Sequence, residues 1–432
     1  MSVQDDLIDV LIRDLRALRI TLTVDGDQLR VGAPKNSMTP ALHKQLTDQK
    51  WALLERLKQA ESWPESSRAS ISSARQRIEY LKKSVRSQDN TVEFWPCPGD
   101  FWLYDEILYQ AMTQDEVRNA VYRQAFQHLV KDKVVVDIGT GQDVVLGRMC
   151  IEAGAKRVYA IEVDAVACQE ARACVAALGL EDRIHIVPGN ALSAHLPELV
   201  DVSVSELIGV IGSSEGVAPV LNDARRFLKP GGVVIPLRCV TKVAAVRLPA
   251  ALAERPHFAT MADYYVKQIF RKVGASFDLR VAVRNFPKDH IVSTEAIFEE
   301  LNFQDLMALE WQNRFSLQVT QPGRVDGLLS WIELSTMEGV TLNSLTQAIS
   351  WLPVFFPVFD SGLEVLPGER LECVNQTVLS EDGVRPDYRI RGQVVRAFGE
   401  SIAFEYDSLL YEKRFKNNEF YHRLFDSGPE RR

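Results

Sequence analysis

Leu7, Leu11, Leu15 and Leu18 recur at three- and four-residue spacing through DLIDVLIRDLRALRI, with Asp and Arg on the positions between. That period predicts an amphipathic helix with one face made for burial. Ile20, Leu22 and Val24 then alternate with Thr, Asp25-Gly26 supplies a turn that tolerates positive φ, and Leu29 and Val31 resume the alternation, so a β-hairpin follows. APKNSMTP breaks the pattern. Thr39-Pro40 opens a helix, with a capping hydroxyl ahead of Pro at the first helical position, and Trp51, Leu54 and Leu57 line a further one. Residues 1–60 therefore read as a small αββαα unit whose core is too slight to be very stable alone. From Glu61 to Arg86 the Ser-rich chain suits a linker running into a helix.

The period changes at Lys133. Val134, Val135 and Val136 lead through Asp137 and Ile138 into the turn Gly139-Thr140-Gly141, and a helical stretch runs from Val145 to Gly154. A second strand, Arg157–Glu162, ends in a carboxylate 25 residues after Asp137, where an acid can take ribose hydroxyls at the carboxyl edge of a parallel sheet. Ile184–Pro188, Val200–Ser205 and Val233–Pro236 complete a doubly wound set. Beyond Pro236 the period becomes two: Phe315, Leu317 and Val319; Leu363 and Val365; Tyr388 and Ile390; Ile402, Phe404 and Tyr406. The expected organisation is a small α+β domain at 1–60, a linker and helix at 61–95, a Rossmann-like α/β domain at 96–236 and an antiparallel β domain at 237–432.

Length and charge narrow the function. A chain of 432 residues exceeds one ordinary core. With 46% hydrophobic and 25% charged residues the composition is that of a folded globular protein. A net charge of −8 lacks the electrostatic footprint of phosphate-backbone binding, so nucleic acid is not an expected partner. The N-terminus is acidic, and no apolar run approaches the roughly 18 residues that span a bilayer, so no membrane partner is expected and the cytoplasm is the expected compartment. The six cysteines show neither C-x-x-C pairs nor His at ligand spacing, which suggests reduced, buried thiols and no metal site. Val144 stands where a dinucleotide fingerprint wants its third glycine, which disfavours NAD.

Two resemblances sharpen this picture. Residues 4–60, through the helix, the strand pair and the stretch LRVGAPK ending at Lys35, resemble the TubC-type docking domain found at the front of proteins of nonribosomal peptide and polyketide assembly lines. That resemblance implies capture of an upstream protein's C-terminal segment by strand addition. DEVRNAVYRQAFQHLVKDKVVVDIGTG (Asp115–Gly141), GAKRVYAIE (Gly154–Glu162), SELIGVIGSSEG (Ser205–Gly216) and ARRFLKPGGVVIP (Ala224–Pro236) resemble the protein arginine methyltransferases, in the same order. This implies a β-barrel after the Rossmann-like domain, a helical arm near 250–277 whose Tyr264, Tyr265, Val266, Ile269 and Phe270 dock on a second subunit of a homodimer, and S-adenosyl-L-methionine as cofactor.

The same resemblance implies roles residue by residue. Arg118 holds the methionyl carboxylate by a forked pair; Asp137, Gly139 and Gly141 line the methionyl side; Glu162, with Val163 next in the chain, takes the ribose. Asn190, Ala191 and Leu192 lie where the family contacts adenine, with Leu192 in place of a family carboxylate. Glu206 and Glu215, nine positions apart with Gly209 between them, match the family's pair of acids. Two such carboxylates can clamp a cation or, with one pKa raised, take a proton from the nucleophile. Two departures bear on specificity: Ser350 precedes Trp351 where the family has a histidine, and the family's upstream tyrosines are not reproduced in their positions around Phe101–Tyr109. The expected activity is methyl transfer to nitrogen or oxygen of a small or carrier-tethered intermediate. Protein arginine methylation and a catalytically silent docking scaffold stay open as alternatives.

Overall fold

The structure is a computed structural model that describes residues 91–426 except 260, 398, 413–414 and 416–417. Ahead of these it describes residues 20–25, 28–32 and scattered positions between 38 and 53. The first expected helix, most of the two later ones and the linker lie outside the described residues. The chain divides into two compact units, Met1–Lys83 and Ser84–Arg432.

In the first unit, β1 (Thr21–Asp25) and β2 (Gln28–Gly32) form the expected antiparallel pair, with Leu22 opposite Val31. Ile20, Leu46 and Leu53 make its core, with Leu22, Leu29, Met38 and Leu42 packed against them.

The second unit opens on β3 (Glu93–Pro96) and continues through helices α1 (Glu106–Thr113) and α2 (Glu116–Leu129). Five parallel strands follow: β4 (Val134–Ile138), β5 (Arg157–Glu162), β6 (Ile184–Pro188), β7 (Val200–Ser205) and β8 (Leu228–Ile235), with α3 (Val145–Glu152), α4 (Ala165–Ala177) and α5 (Val217–Ala224) among them. Their spatial order is β6-β5-β4-β7-β8. The chain therefore runs outward from β4 on one side, then crosses to β7 on the other, which makes the carboxyl edge between β4 and β7 a topological switch point and the natural place for a ligand crevice. Every residue of β4 is buried, as a β-branched run covered on both faces should be.

Two antiparallel sheets form the rest. Strands β9 (Arg238–Val246), β10 (Val281–Arg284), β11 (Ala296–Asn302), β14 (Gly327–Met337), β15 (Val340–Asn343) and β16 (Val354–Phe356) join β3 in one sheet. The other is β12 (Trp311–Gln318), β18 (Arg370–Leu379), β19 (Pro386–Val395) and β20 (Ser401–Ser408), while β13 (Gly323–Val325) pairs with β17 (Leu363–Val365). Residues 93–96, which the expected boundary divides between linker (to 95) and Rossmann-like domain (from 96), instead form a strand of the antiparallel sheet: Phe94 and Trp95 are buried, and Trp95 lies opposite Ala282 of β10. Four residues are too few to show a period, and only the partner strand defines them.

The arm of the sequence reading is helices α6 (Ala250–Glu254) and α7 (Ala262–Val273). Tyr265, Val266 and Ile269 are buried within their own chain. Phe270 packs on Phe277 and on Phe425 of the C-terminal helix α8 (Glu419–Asp426), with ring centroids 5.6 and 5.5 Å apart. Three of the five side chains expected to meet a second subunit are thus taken up by the chain's own core, while Tyr264 and Phe270 are half-buried, Phe270 against aromatic partners of α8 that no local pattern pairs with the arm. No described helix is long and apolar enough to cross a membrane.

Both domains share one core. Ile332, Leu334, Leu342 and Trp351 of the antiparallel part lie in the same cluster as Val135, Val136 and Ile138 of β4. Within the antiparallel part, Phe298 of β11 is fully buried and touches Phe356 (5.7 Å), Tyr388 (5.8 Å) and Phe315 (6.2 Å), so it joins the two sheets. Phe298→Ala should cost about 3–5 kcal/mol in urea unfolding, the cavity penalty of a large core side chain; a loss below ~1 kcal/mol would show that the sheets do not meet through this ring.

Candidate active site

The switch point gathers most of the residues singled out from sequence. At the end of β4 the backbone turns through Gly139 (φ 74°) and Gly141 (φ 68°), both in the left-handed region that glycine adopts without strain. Glu162, at the end of β5, accepts from Gly141 N–H and Asp164 N–H, each at 2.9 Å. Asp137 is buried; one oxygen accepts from Thr140 Oγ1 (2.6 Å) and Gly147 N–H (3.1 Å), and burial lifts its carboxyl to about 7. Its other oxygen, Oδ1, is buried with no hydrogen-bond partner. Beside these, Val163 and Leu192 stand 69% and 40% exposed, two apolar side chains at the open ends of β5 and β6. Asn190 spends its side-chain oxygen on Leu192 N–H (2.9 Å) and Ala191 its carbonyl on Arg226 (2.7 Å), so these two shape the turn that presents Leu192.

Across the edge lies Arg118. Asp115 caps α2 by accepting from Arg118 N–H (2.9 Å), which starts the helix where Arg118 points back over the strand ends. Arg118 donates to Glu206 Oε2 (2.8 Å) and to Met112 O (2.6 Å). Glu206 follows directly on β7; burial raises its carboxyl to about 7, and the Arg118 guanidinium pulls the other way. Ser350 and Trp351 fix both partners from the antiparallel domain. Ser350 donates its N–H (2.8 Å) and hydroxyl (2.9 Å) to Asp115 Oδ2, and Trp351 donates its indole N–H to Ile208 O (2.7 Å), two residues after Glu206.

Glu215 is held separately. Tyr104 donates its hydroxyl to Glu215 Oε2, and Trp102 donates its indole N–H to Glu215 O at 3.4 Å. Burial raises the Glu215 carboxyl to about 8. The approach is so close that a Cβ on Gly99 would collide with Glu215 Oε1, and one on Gly209 with Ser214 Oγ. Behind the loop, Ser214 donates to Asp100 (2.7 Å), which pairs with buried Arg280 (2.9 Å). Ser213 N–H donates to Glu299 Oε1 (2.9 Å), its hydroxyl bonds Glu299 Oε2, and burial lifts Glu299 to about 7.

Comparison with known proteins supplies the context. Residues 8–59 match the TubC N-terminal docking domain and residues 136–235 match a methyltransferase domain. A probable protein arginine N-methyltransferase 6 of Arabidopsis thaliana is 36% identical over 146 residues, 33% of this chain and 33% of that protein. Protein arginine N-methyltransferase 6 of Xenopus laevis is 35% identical over 159 residues, 36% of this chain and 44% of that protein. The chain carries a methyltransferase domain of protein arginine methyltransferase likeness behind a TubC-type docking domain. The matched region spans about a third of the length of the first of these relatives. The fold reaches further: the structure of Arabidopsis thaliana protein arginine methyltransferase 10 aligns with a TM-score of 0.58 over 69% of this chain and 97% of its own at 21% identity. The Trypanosoma brucei protein arginine methyltransferase 1 enzyme–prozyme complex with AdoHcy aligns with the same score and coverage at 20%.

The residues present in the methyltransferase domain fit S-adenosylmethionine. Asp137 Oδ1 is an unpaired buried acceptor suited to the ligand's ammonium, Arg118 suits its carboxylate, Glu162 its ribose, and exposed Val163 and Leu192 suit the faces of adenine. The histidine's place is taken by Ser350, which binds Asp115 instead of an acid of the pair. Tyrosines do reach the site although their register differs from the family's: Tyr104 holds Glu215, and the Tyr109 ring lies against Gly141. The signal was the aromatic density of FWLYDEILY, with Asp105 capping α1 inside it. Asp100, Arg280, Ser213 and Glu299 gave no sequence signal at all, since their pairings span 86 to 180 positions.

Glu299 makes the pocket's support sensitive to pH. Its folded pKa of about 7 lies above the usual carboxylate value, so the folded state holds a proton the unfolded chain releases. The stability this contributes is complete below about pH 4 and lost as pH rises through 7. Glu299→Gln should flatten the fall in Tm between pH 5 and 8 in thermal scans; an unchanged slope would remove Glu299 as a source of it.

Proposed function

We propose that this protein is an S-adenosylmethionine-dependent methyltransferase that modifies a small or carrier-tethered intermediate of nonribosomal peptide or polyketide assembly. The observation that carries the reading is the pair of half-buried acids on the loop that follows β7, each held by a different neighbour: Glu206 by Arg118 and Glu215 by Tyr104. When bound, the donor supplies a methyl group on a sulfonium that leaves as a neutral thioether. The chain's own residues do the rest. Arg118 fixes the methionyl end, Glu162 the ribose, and the glycine turn lets the backbone come close. Glu215, raised to about 8, is poised to take the acceptor's proton as the new bond to carbon forms.

The docking domain supports delivery by an upstream assembly-line protein, whose C-terminal segment would extend the β1–β2 pair. A homodimer is expected from the family likeness. The two acids also support the second reading, a guanidinium clamp for protein arginine. Incubation of the full chain with labelled donor and either carrier-bound intermediates or arginine-rich peptides decides between them by which product carries the label.

Two outcomes follow from the geometry. Arg118→Ala should weaken donor affinity by about 10- to 100-fold in calorimetry, the worth of a charge-assisted bond to a carboxylate; normal binding would contradict the assignment. Because Glu215 must be ionised to accept a proton, wild-type turnover should rise with pH through about 8. Glu215→Gln should lower kcat by about 10²–10⁴ and abolish that limb while leaving donor Kd unchanged; a retained limb would assign the proton transfer elsewhere.

A further inference from the structure

Trp102 sits where a smaller residue would be easier to hold. Its backbone is at φ 49°, ψ 42°, the left-handed region bulky side chains rarely adopt. The strain is stabilised locally: its N–H closes a turn on Gly99 O (2.8 Å) and its indole N–H reaches Glu215 O. One face of the ring lies under the Arg385 guanidinium, 4.0 Å from the ring centroid. Arg385 is itself 2% exposed, and its nitrogens are engaged by Asp382, Asp100 O and Tyr411, so the cation cannot swing aside.

Trp102 nevertheless remains 46% exposed as a residue. With one face under the guanidinium, that exposure belongs to the opposite face and the outer edge. A strained, half-exposed aromatic residue gains little from burial, and such outliers gather where a ligand is held. The neighbour is Tyr104, also part-exposed at 36%, whose hydroxyl lies on the Glu215 carboxylate. Two aromatic side chains thus border Glu215, one bonded to its backbone and one to its side chain.

We propose that the open face of Trp102 is the platform on which a neutral, electron-rich aromatic acceptor lies while its hydroxyl or amine reaches Glu215. This rests on the methyl-transfer reading and names its substrate class. The guanidinium on the far face draws density from the indole, which disfavours a second cation on the near face and favours an electron-rich ring. For a phenolic acceptor, an oxygen lone pair forms the bond to the methyl carbon, the carbon–sulfur bond breaks with its electrons on sulfur, and the hydroxyl proton passes to Glu215.

The test uses the full chain saturated with S-adenosylhomocysteine and three probes, phenol, cyclohexanol and methylguanidinium, with affinities read by ligand-observed NMR. Phenol should bind about fivefold tighter than cyclohexanol, and tighter than methylguanidinium. The preference should persist in Trp102→Phe, which keeps a planar ring, and vanish in Trp102→Leu. Equal affinities for phenol and cyclohexanol, a preference that survives in Trp102→Leu, or tighter binding of methylguanidinium would each overturn the proposal. S-adenosylmethionine calorimetry on the same samples separates the two readings: a chain that fails to bind the donor sinks methyl transfer itself, whereas normal donor binding without aromatic preference sinks only the platform.

Discussion

A guanidinium and a carboxylate sit out of water at the end of β7, and much of the second unit is arranged so that neither is left alone. Arg118 and Glu206 meet at 2.8 Å with side chains 4% and 16% exposed. Removing either partner of such a pair leaves an uncompensated buried charge, which is far more costly than the pair is favourable. The pair therefore fixes geometry: α2 must begin where Asp115 caps it, and the antiparallel domain must place Ser350 and Trp351 against that cap and against the acid-bearing loop. The shared core of the two domains is the apolar counterpart of this polar clamp.

The same environment divides the labour between the acids. Burial pushes both carboxyls up; Glu206 is held down by the Arg118 guanidinium bonded to it, whereas Glu215 also feels the like charges of Glu206 and Asp100, opposed by the Tyr104 hydroxyl and Arg385, and lies at about 8 against about 7. Pairs of titratable groups whose surroundings separate them mark acid–base assignments. In the proposed reaction Glu206 would be the fixed partner of Arg118 and Glu215 the group that exchanges a proton. The glycines at 99 and 209 leave room for these side chains, since a Cβ at 99 would collide with the Glu215 carboxylate and one at 209 with Ser214 Oγ.

A third layer stands behind the first two. Asp100, Arg280, Ser213, Glu299 and Arg385 are all buried or nearly so and tie the segment over the site to both antiparallel sheets. Such a network is stabilising only when every member is satisfied, and this makes the loop's position a property of the whole unit. It also explains how Trp102 can be held in a strained conformation: the guanidinium that covers it is anchored from three directions.

The local periods were enough to place most strands of the parallel sheet. Strands Arg157–Glu162, Ile184–Pro188 and Val200–Ser205 coincide with the expected ones, because a β-branched run between glycine turns has few alternatives. The motif glycines and Glu162 were legible from their spacing at the strand ends, and Arg118, Glu206 and Glu215 from the resemblance of their segments to the protein arginine methyltransferases. Period and spacing carry no information about partners far along the chain. The assignment of residues 93–96 to the antiparallel sheet, the packing of the arm against α8, the arrival of Tyr104 on Glu215 and the support from Glu299 were decided only by tertiary packing. In each case the deciding contact joins segments some 80 to 200 residues apart, through burial and hydrogen bonds that exist only once both domains have closed around one core.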